Sequence, residues 1–242
     1  MARRIIIKTD PEAVAREAAS QFVERLVACQ AKKDIVHVCL TGGRIANRMY
    51  AEFSKLAADS DFDPKRVELW WGDEAFVPTA DPHRNAGKTL GLLARHLTFD
   101  SSRTHLMPAA NLTGDPESAA RSYAEDLGDT WPDVTFLGVG ADGHVASIFP
   151  NHPSSEPTTR RVIGVTECPQ EPYERISMTV PTINSSPEVW LLAVGSEKAW
   201  AVAEALTGNT SLPVGQVHGA ERTVWFLDAE AASQLPRHTC DW

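Results

Sequence analysis

The sequence FLGVGADGHVASIFP, residues Phe136–Pro150, contains the pattern on which the fold assignment depends. Three of its glycines have the G-x-G-x-x-G spacing of a dinucleotide-binding turn, and a strand-like apolar run, Val134–Leu137, leads into them. A dinucleotide site also needs a crossover helix of about 10–12 residues before the next parallel strand. The prolines that begin at Pro150 leave room for a helix only from about Gly143 to Phe149. The stretch is therefore not interpreted as a nicotinamide site.

Around this stretch, strand-like and helix-like segments alternate along the whole chain. The predicted strands are Arg3–Lys8, Ile35–Leu40, Val67–Trp71, Val134–Leu137, Arg161–Val165, Arg175–Val180, Val189–Val194 and Val224–Leu227. The predicted helices are Pro11–Lys33, Ile45–Ala58, Asn85–His96, Pro116–Leu127, Glu197–Leu206 and a short one from Ala229. Such alternation predicts a single α/β domain over residues 1–242, with one doubly wound, mostly parallel sheet covered by helices on both faces, a Rossmann-like three-layer arrangement.

The composition is that of an acidic globular protein. The 23 basic and 32 acidic residues give a net charge of −9, and the basic residues do not cluster, so we expect no nucleic-acid partner. No apolar stretch approaches membrane-spanning length, so we expect no membrane partner. The four cysteines have no C-x-x-C spacing, which is typical of reduced thiols in a cytoplasmic protein. Because the chain has no heptad pattern or large apolar stripe, we expect a monomer.

Right-handed crossovers place the carboxyl ends of parallel strands at one edge, where open α/β sheets bind ligands. The first notable strand end is TGG: Thr41, Gly42 and Gly43 precede a predicted helix, whose first amides favour an anion such as a phosphate. A plain connecting turn has the same composition. The second strand end carries Asp73 and Glu74, which suit either a helix cap or a carboxylate that orients a substrate.

The third strand end places Asp142 and His144 on either side of Gly143. Histidine ordinarily titrates near pH ~6.5, so it can take a proton from water at neutral pH, although a histidine satisfied by local hydrogen bonds is the commoner case. The eight histidines contain no H-x-H or H-E-x-x-H spacing, so we expect no metal, and we expect no cofactor. The chain also lacks the G-x-S-x-G elbow and the G-x-x-x-x-G-K-[ST] loop.

Taken in order, these segments resemble the glucosamine-6-phosphate isomerase/6-phosphogluconolactonase family. The matching text is LTGG, WWGDE with FVP and DPHRN behind it, FLGVGADGHVASIFP, RISMTVPTIN, LLAVGSEKA and TVWFLD, from about Ile35 to the C terminus. Deaminases of this family continue the D-G-H toward A-F-N-E-P. This chain reads ASIFP at Ala146–Pro150, which favours the lactonase branch.

The resemblance implies a carboxylic ester hydrolase that converts 6-phospho-D-glucono-1,5-lactone to 6-phosphogluconate in the oxidative pentose phosphate pathway. It implies that His144 is the general base on water and that Asp73 orients His144 or a substrate hydroxyl. It also implies that the TGG turn holds the 6-phosphate together with Lys198 of GSEKA. Asp142 and Gly143 are expected to contact the same phosphosugar.

One position departs from the family pattern, which is W-G-D-E-R and associates the arginine with the substrate phosphate. This chain has Ala75 there. Loss of a charge-assisted bond costs about 1.5–3 kcal/mol, roughly tenfold to a hundredfold in binding. We expect Arg44, directly after TGG, to substitute, and Arg84 of DPHRN is a second candidate. The departure leaves two alternatives open, a glucosamine-6-phosphate deaminase/isomerase-like enzyme and a non-catalytic phosphosugar-binding protein.

Overall fold

The computed structural model describes residues 2–236. Its strands are β1 (Ala2–Lys8), β2 (Val36–Leu40), β3 (Val67–Trp71), β4 (Asp73–Ala75), β5 (Val134–Gly138), β6 (Val162–Val165), β7 (Arg175–Met178), β8 (Glu188–Ala193) and β9 (Arg222–Asp228). Its α-helices are α1 (Pro11–Gln30), α2 (Arg44–Ala58), α3 (Asn85–Leu93), α4 (Pro116–Leu127), α5 (Val180–Asn184), α6 (Ala199–Leu206) and α7 (Pro213–Gln216). The predicted elements before residue 229 are present, with ends that differ by no more than about one helical turn.

Two helices begin at an aspartate whose side chain caps them, and a third begins differently. The Asp10 side chain accepts a hydrogen bond from the Ala13 N–H at 2.8 Å and caps α1. Asp115 caps α4 in the same way, through the Ser118 N–H at 2.8 Å. Helix α2 begins after Gly43 and has no capping side chain. Its first backbone N–H groups are therefore left available to an anion.

Six strands form one sheet in the order β1-β9-β8-β5-β2-β3. Every neighbouring pair in it is parallel, which confirms the predicted fold class. From β2 the chain first moves outward to β3 and then returns to the other side of β2 as β5. The direction of winding therefore reverses between β2 and β5. Open α/β sheets bind ligands at such a switch point, just outside the carboxyl ends of the strands.

Helices cover both faces of the sheet, as the sequence predicts. On one face α1, α2 and α3 pack over side chains that include Trp71 and Trp190. On the other face α4 and α6 pack over side chains that include Trp70 and Leu191. Successive residues of one strand lie in different cores because side chains alternate across a sheet. Burial on both faces explains why these strands appear in the sequence as continuous apolar runs.

Two predicted strands lie outside the parallel sheet. Strands β6 and β7 pair antiparallel with each other, and β7 also pairs antiparallel with β4, giving a separate three-stranded sheet. The alternation of elements in the sequence predicts β6 and β7 in the main sheet and no strand at β4, and both predictions are wrong. Only residues 166–174 connect β6 to β7, which is shorter than the dozen or more residues that a parallel crossover needs.

The expected short helix from Ala229 is not formed in the described part of the chain, and the remaining residues of that prediction lie outside it. Residues 229–235 form turns and a bend, and a proline follows at position 236. The Asp228 carboxylate, at the end of β9, accepts hydrogen bonds from the N–H groups of Gly195 and Ala231. These bonds hold the turn against the carboxyl edge of the sheet instead of continuing a helix.

The cysteines that the structure describes are unpaired. Cys29, Cys39 and Cys168 are free and buried, whereas Cys240 lies outside the described residues. From residue 2 to residue 236, no helix is both long enough and apolar enough to cross a membrane.

Candidate active site

An open cleft of about 380 Å³ lies at the carboxyl edge of the sheet, at the switch point between β2 and β5. This volume is in the range of small-molecule sites. The two strands approach closely there, since a Cβ on Gly138 at the end of β5 would lie 4.0 Å from the Gly42 carbonyl oxygen. Seven of the predicted site residues line the cleft: Thr41, Gly42, Gly43, Arg44, Asp73, His144 and Lys198.

The loop after β5 forms turns, with no helix between Gly143 and Phe149. The chain then passes to β6 in the small antiparallel sheet and not to a neighbouring parallel strand. The crossover helix of a dinucleotide-binding unit is therefore missing, as the prolines predict. The loop instead carries His144 into the cleft.

Several short contacts fix the His144 imidazole. Its Nδ1 lies 2.6 Å from Asp142 Oδ1, and its backbone N–H donates to the same oxygen at 3.1 Å. The Gly140 N–H donates to the His144 carbonyl oxygen at 2.8 Å, so the loop closes on itself. The Phe149 ring packs against the imidazole at a centroid distance of 4.8 Å. The ring is thus held on two sides while it faces the cleft.

The Asp142 carboxylate determines which nitrogen of His144 carries the proton. Burial by itself raises the pKa of Asp142, but hydrogen bonds from the His144 ring and backbone outweigh burial and hold the pKa below its usual value. An ionised carboxylate can only accept hydrogen bonds, so Nδ1 carries the hydrogen and Nε2 presents a lone pair. His144 can therefore accept a proton from a water molecule in the cleft.

The glycines of this loop provide close packing around the histidine. A Cβ on Gly140 would lie 2.1 Å from His144 Nδ1 and 2.5 Å from Asp142 Oδ1, so a side chain there would displace one of them. Gly143 has a φ of 87° and lies against the Leu212 side chain. Asp142 and Gly143 do not line the cleft themselves. They hold His144 from behind.

Asp73 lies on another wall of the cleft, at the start of β4. It is buried, and its Oδ2 accepts a hydrogen bond from the Ser147 hydroxyl at 2.8 Å. Burial raises the pKa of Asp73, and the Arg175 charge and the Ser147 bond offset part of that rise. Within residues 2–236, no hydrogen bond joins Asp73 to His144, and Asp142 orients the imidazole. Of the two roles expected for Asp73, contact with a substrate hydroxyl fits this placement better.

The TGG turn is anchored by a tyrosine from the helix that follows it. The Tyr50 hydroxyl donates to the Thr41 carbonyl oxygen and accepts from the Thr41 N–H, both at 3.0 Å. Gly43 has a φ of 104°, a backbone conformation that favours glycine. The uncapped start of α2 therefore lines the cleft through Gly43 and Arg44, in an arrangement suited to an anion.

Arg44 and Lys198 bring positive charge to the cleft from two different elements. The Arg44 side chain is 94% exposed and forms an ion pair with Glu197, with Nη2 and Oε1 3.7 Å apart. Lys198 ends the short 3-10 turn Ser196–Lys198 that follows β8. Despite the net charge of −9, this edge of the molecule thus has local cations beside a helix amino terminus.

Arg84 does not reach the cleft, in contrast to its expected role. Its side chain is 4% exposed, donates to the Met107 carbonyl oxygen at 2.6 Å, and lies 3.8 Å from Glu74 Oε2. Glu74 also accepts from the backbone N–H groups of Asn85 at 2.6 Å and Ala86 at 3.0 Å, which caps α3. Arg84 and Glu74 therefore form a buried pair that holds α3 against β4.

The cleft-lining residues that were not predicted as site residues include Arg175 and Asn85. The Arg175 Nε and Nη2 donate to the carbonyl oxygens of Pro172 and Glu171, each at 3.1 Å. The Asn85 Nδ2 donates to the Asp73 carbonyl oxygen at 3.1 Å. Both residues stand in text that carries the family resemblance, RISM and DPHRN, and that text was the available signal.

In the part of the chain that the structure describes, no group of three or more His, Cys, Asp or Glu side chains could hold a metal ion.

Comparison with known proteins shows the family of this chain. The family model described as glucosamine-6-phosphate isomerases/6-phosphogluconolactonase matches residues 9–225. A 6-phosphogluconolactonase of Streptomyces coelicolor is 41% identical, over 97% of this chain and 95% of its own length. A 6-phosphogluconolactonase of Mycobacterium tuberculosis is 35% identical, over 98% of this chain and 100% of its own length.

Solved structures share the fold. A 6-phosphogluconolactonase of Thermotoga maritima has a TM-score of 0.83 and 25% identity, and the match covers 93% of this chain and 99% of that one. A monomeric glucosamine-6-phosphate deaminase has the same fold, with a TM-score of 0.79 and 24% identity over 95% of this chain and 99% of that one. The resemblance drawn from the strand ends is thereby confirmed, and the chain belongs to the glucosamine-6-phosphate isomerase/6-phosphogluconolactonase family.

Proposed function

We propose that this protein hydrolyses 6-phospho-D-glucono-1,5-lactone to 6-phosphogluconate, a step of the oxidative pentose phosphate pathway. The observation that carries the proposal is the 2.6 Å contact between His144 Nδ1 and Asp142 Oδ1, which turns a histidine base toward the cleft. The 41% identity to a 6-phosphogluconolactonase supports the same substrate. A lactone is a cyclic ester, so its hydrolysis requires an activated water and stabilisation of charge on the carbonyl oxygen.

His144 performs the proton transfers. Its Nε2 takes a proton from water while the water oxygen attacks C1 of the lactone, and the carbonyl electrons move onto the carbonyl oxygen. Collapse of this tetrahedral intermediate breaks the bond between C1 and the ring oxygen, which takes the proton back from His144. The products are a carboxyl group and a hydroxyl group. Asp142 stabilises the imidazolium that forms between the two transfers, and general base catalysis of this kind contributes about 10²–10⁴-fold.

The TGG turn and the two cations beside it bind the 6-phosphate, and Asp73 accepts a hydrogen bond from a sugar hydroxyl. Arg44→Ala and Lys198→Ala should each raise KM for the lactone, since each removes a charge-assisted bond worth about 1.5–3 kcal/mol. A KM that rises in Lys198→Ala and stays unchanged in Arg44→Ala would show that Arg44 does not hold the phosphate.

Proton release from freshly generated lactone, corrected for its spontaneous opening, measures the reaction. His144→Ala should lower kcat by roughly 10²–10⁴-fold, because the general base is removed. His96→Ala is the matched control, since His96 is exposed and lies just beyond α3. It should keep the full rate. Full activity in His144→Ala would overturn the mechanism.

The two alternative functions give different readouts. Ammonia release from glucosamine 6-phosphate would identify a deaminase, and the ASIFP text of Ala146–Pro150 leads us to expect none. Binding of 6-phosphogluconate by a wild-type protein that releases no protons from the lactone would identify a binding protein instead of an enzyme.

We further propose that the protein is a monomer of the cytoplasm. The buried, unpaired Cys29, Cys39 and Cys168 fit a reducing compartment. Size-exclusion chromatography with light scattering should give the mass of one chain, 26.4 kDa. A mass of two or more chains at micromolar concentration would contradict the monomer.

A further inference from the structure

The family pattern has an arginine at the position where this chain has Ala75. We propose that Arg175, which lies opposite Ala75 in the small sheet, binds the substrate phosphate in place of that arginine. The inference rests on the proposed function, since it concerns the same phosphorylated substrate. It also reassigns the replacement that the sequence analysis expected of Arg44. Arg175 is far from Ala75 along the chain, and only the pairing of β4 with β7 brings the two together.

The register of the small antiparallel sheet places Ala75 directly opposite Arg175. Residues directly opposite each other point to the same face of a sheet, with Cβ atoms about 4.5–5.5 Å apart. An arginine at position 75 and the arginine at position 175 would therefore extend from adjoining points on one face. Ala75 is 2% exposed and contributes only a methyl group. The cationic side chain on this part of the face belongs to Arg175.

This face is the one that turns toward the cleft. Positions 73 and 75 lie on the same side of β4 because side chains alternate along a strand. Asp73 and Arg175 both line the cleft, whereas Glu74 points the other way and caps α3. The Arg175 charge also lowers the pKa of Asp73 relative to what burial alone would give. Arg175 therefore acts on the same space that a substrate bound beside Asp73 would occupy.

The Arg175 guanidinium is held in position before any ligand arrives. Its Nε and Nη2 donate to two carbonyl oxygens of the loop before β7, those of Pro172 and Glu171, each at 3.1 Å. A guanidinium has five N–H donors in a rigid fork, so these two bonds orient it and leave donors for an anion. The 94% exposed Arg44 is less constrained and approaches the cleft from α2. It is thus a partner on another wall, not a substitute on this face.

Calorimetric titration with 6-phosphogluconate measures this binding without turnover. Arg175→Ala should weaken binding roughly tenfold to a hundredfold, the value of a lost charge-assisted bond. Arg175→Gln should bind as weakly as Arg175→Ala, because glutamine keeps an N–H donor but lacks the positive charge that strengthens a bond to phosphate. Arg48→Ala is the matched control. It removes the same charge from a neighbouring part of the carboxyl edge of the sheet, and Arg48 does not line the cleft. It should bind as wild type.

Two variants restore the charge, Arg175→Lys in place and Ala75→Arg combined with Arg175→Ala at the family position. Recovery of at least half of the lost binding free energy by either one supports the proposal. The proposal is overturned if neither recovers binding, if Arg175→Ala binds within twofold of wild type, if Arg175→Gln binds normally, or if Arg48→Ala weakens binding equally. His144→Ala tests turnover alone, so loss of the proposed hydrolysis would be seen separately from loss of this binding contact.

Discussion

Single residues in this cleft matter through atomic distances as much as through charge. The contact between His144 Nδ1 and Asp142 Oδ1 is 2.6 Å, and a Cβ on Gly140 would lie 2.1 Å from the same nitrogen. The glycine spacing that first resembles a nucleotide-binding turn thus provides room for an imidazole and a carboxylate. Its function is different although the spacing is the same.

Gly140→Ala should lower kcat about 10²-fold while the fold is retained. A methyl group at this position would displace the imidazole, and a misplacement of the order of 1 Å costs about that factor. Gly140 does not have a positive φ, so alanine fits the backbone there. Steady-state proton release and a melting curve measure the two effects.

Gly87→Ala provides the control for that prediction. A Cβ on Gly87, in α3, would meet no atom within 4 Å other than its chain neighbours and the backbone of its own helix. Alanine should therefore keep the full rate and add about 0.5–1 kcal/mol of stability, because it favours a helix over glycine. Wild-type kcat in Gly140→Ala would contradict the argument from close approach.

Among the elements, α3 shows how a strand end supports a site without contributing all of its residues to it. Glu74 follows Asp73 directly, yet it caps α3 and pairs with the buried Arg84, while Asp73 lines the cleft. Adjacent carboxylates on a strand point to opposite faces, so one becomes structural and the other remains available to a substrate. Arg84 is likewise structural, because it is buried beside Glu74 and away from the cleft.

Arg84→Ala should destabilise the protein by about 3–5 kcal/mol and leave KM unchanged at temperatures where the variant is folded. The loss arises because the buried Glu74 would keep its backbone hydrogen bonds but lose its ion-pair partner. Denaturant unfolding measures the stability. Arg95→Ala, an exposed arginine just after α3, removes the same charge and should cost less than about 0.5 kcal/mol. Unchanged stability together with a raised KM would show that Arg84 binds the substrate and does not stabilise the fold.

Across the described residues, a buried ion-pair network lies at the edge of the sheet opposite the cleft. At the amino edge of the sheet, the buried Glu188 pairs with Arg25 at 2.9 Å and with Arg222 at 2.7 Å. These ion pairs tie α1 to two neighbouring strands. At the carboxyl edge, Asp73 is buried without an ion pair of that kind, and burial raises its pKa. The cleft therefore carries a cost in folding free energy.

Asp73→Asn should be more stable than wild type at pH 8, and the difference should shrink as the pH falls toward 4. Burial raises the pKa of Asp73 in the native state above its ordinary value of 3.8. At pH values between 3.8 and that raised pKa, the native state therefore binds more protons than the unfolded state. The free energy of unfolding of the wild type then decreases as pH rises through that window. Asparagine does not titrate and avoids this loss.

The same variant should lose at least about tenfold in kcat/KM, because a neutral amide accepts a weaker hydrogen bond from a substrate hydroxyl. Denaturant unfolding at the two pH values and the lactone assay measure both effects on one protein. A wild type that is more stable than Asp73→Asn at pH 8 would contradict the assigned cost of burial.

The sequence by itself determined the alternation of strands and helices, the strand ends that form the cleft, and the family. Each of these depends on features that are local in the chain. Apolar periodicity repeats within one element, and the turn residues stand directly after it. The contact of Asp142 with His144 is also local in the chain, since only Gly143 separates them, but the sequence predicted Asp73 in the orienting role and only the structure showed the contact.

The tertiary structure alone decided what depends on contacts between distant segments. The pairing of β4 with β7 put Ala75 opposite Arg175 and removed two strands from the main sheet. Burial against Met107 withdrew Arg84 from the cleft. Register and burial are set by which segments pack together across the fold, and a one-residue change in register would turn every side chain of β7 to its other face. The residue pattern of a single strand does not contain that information.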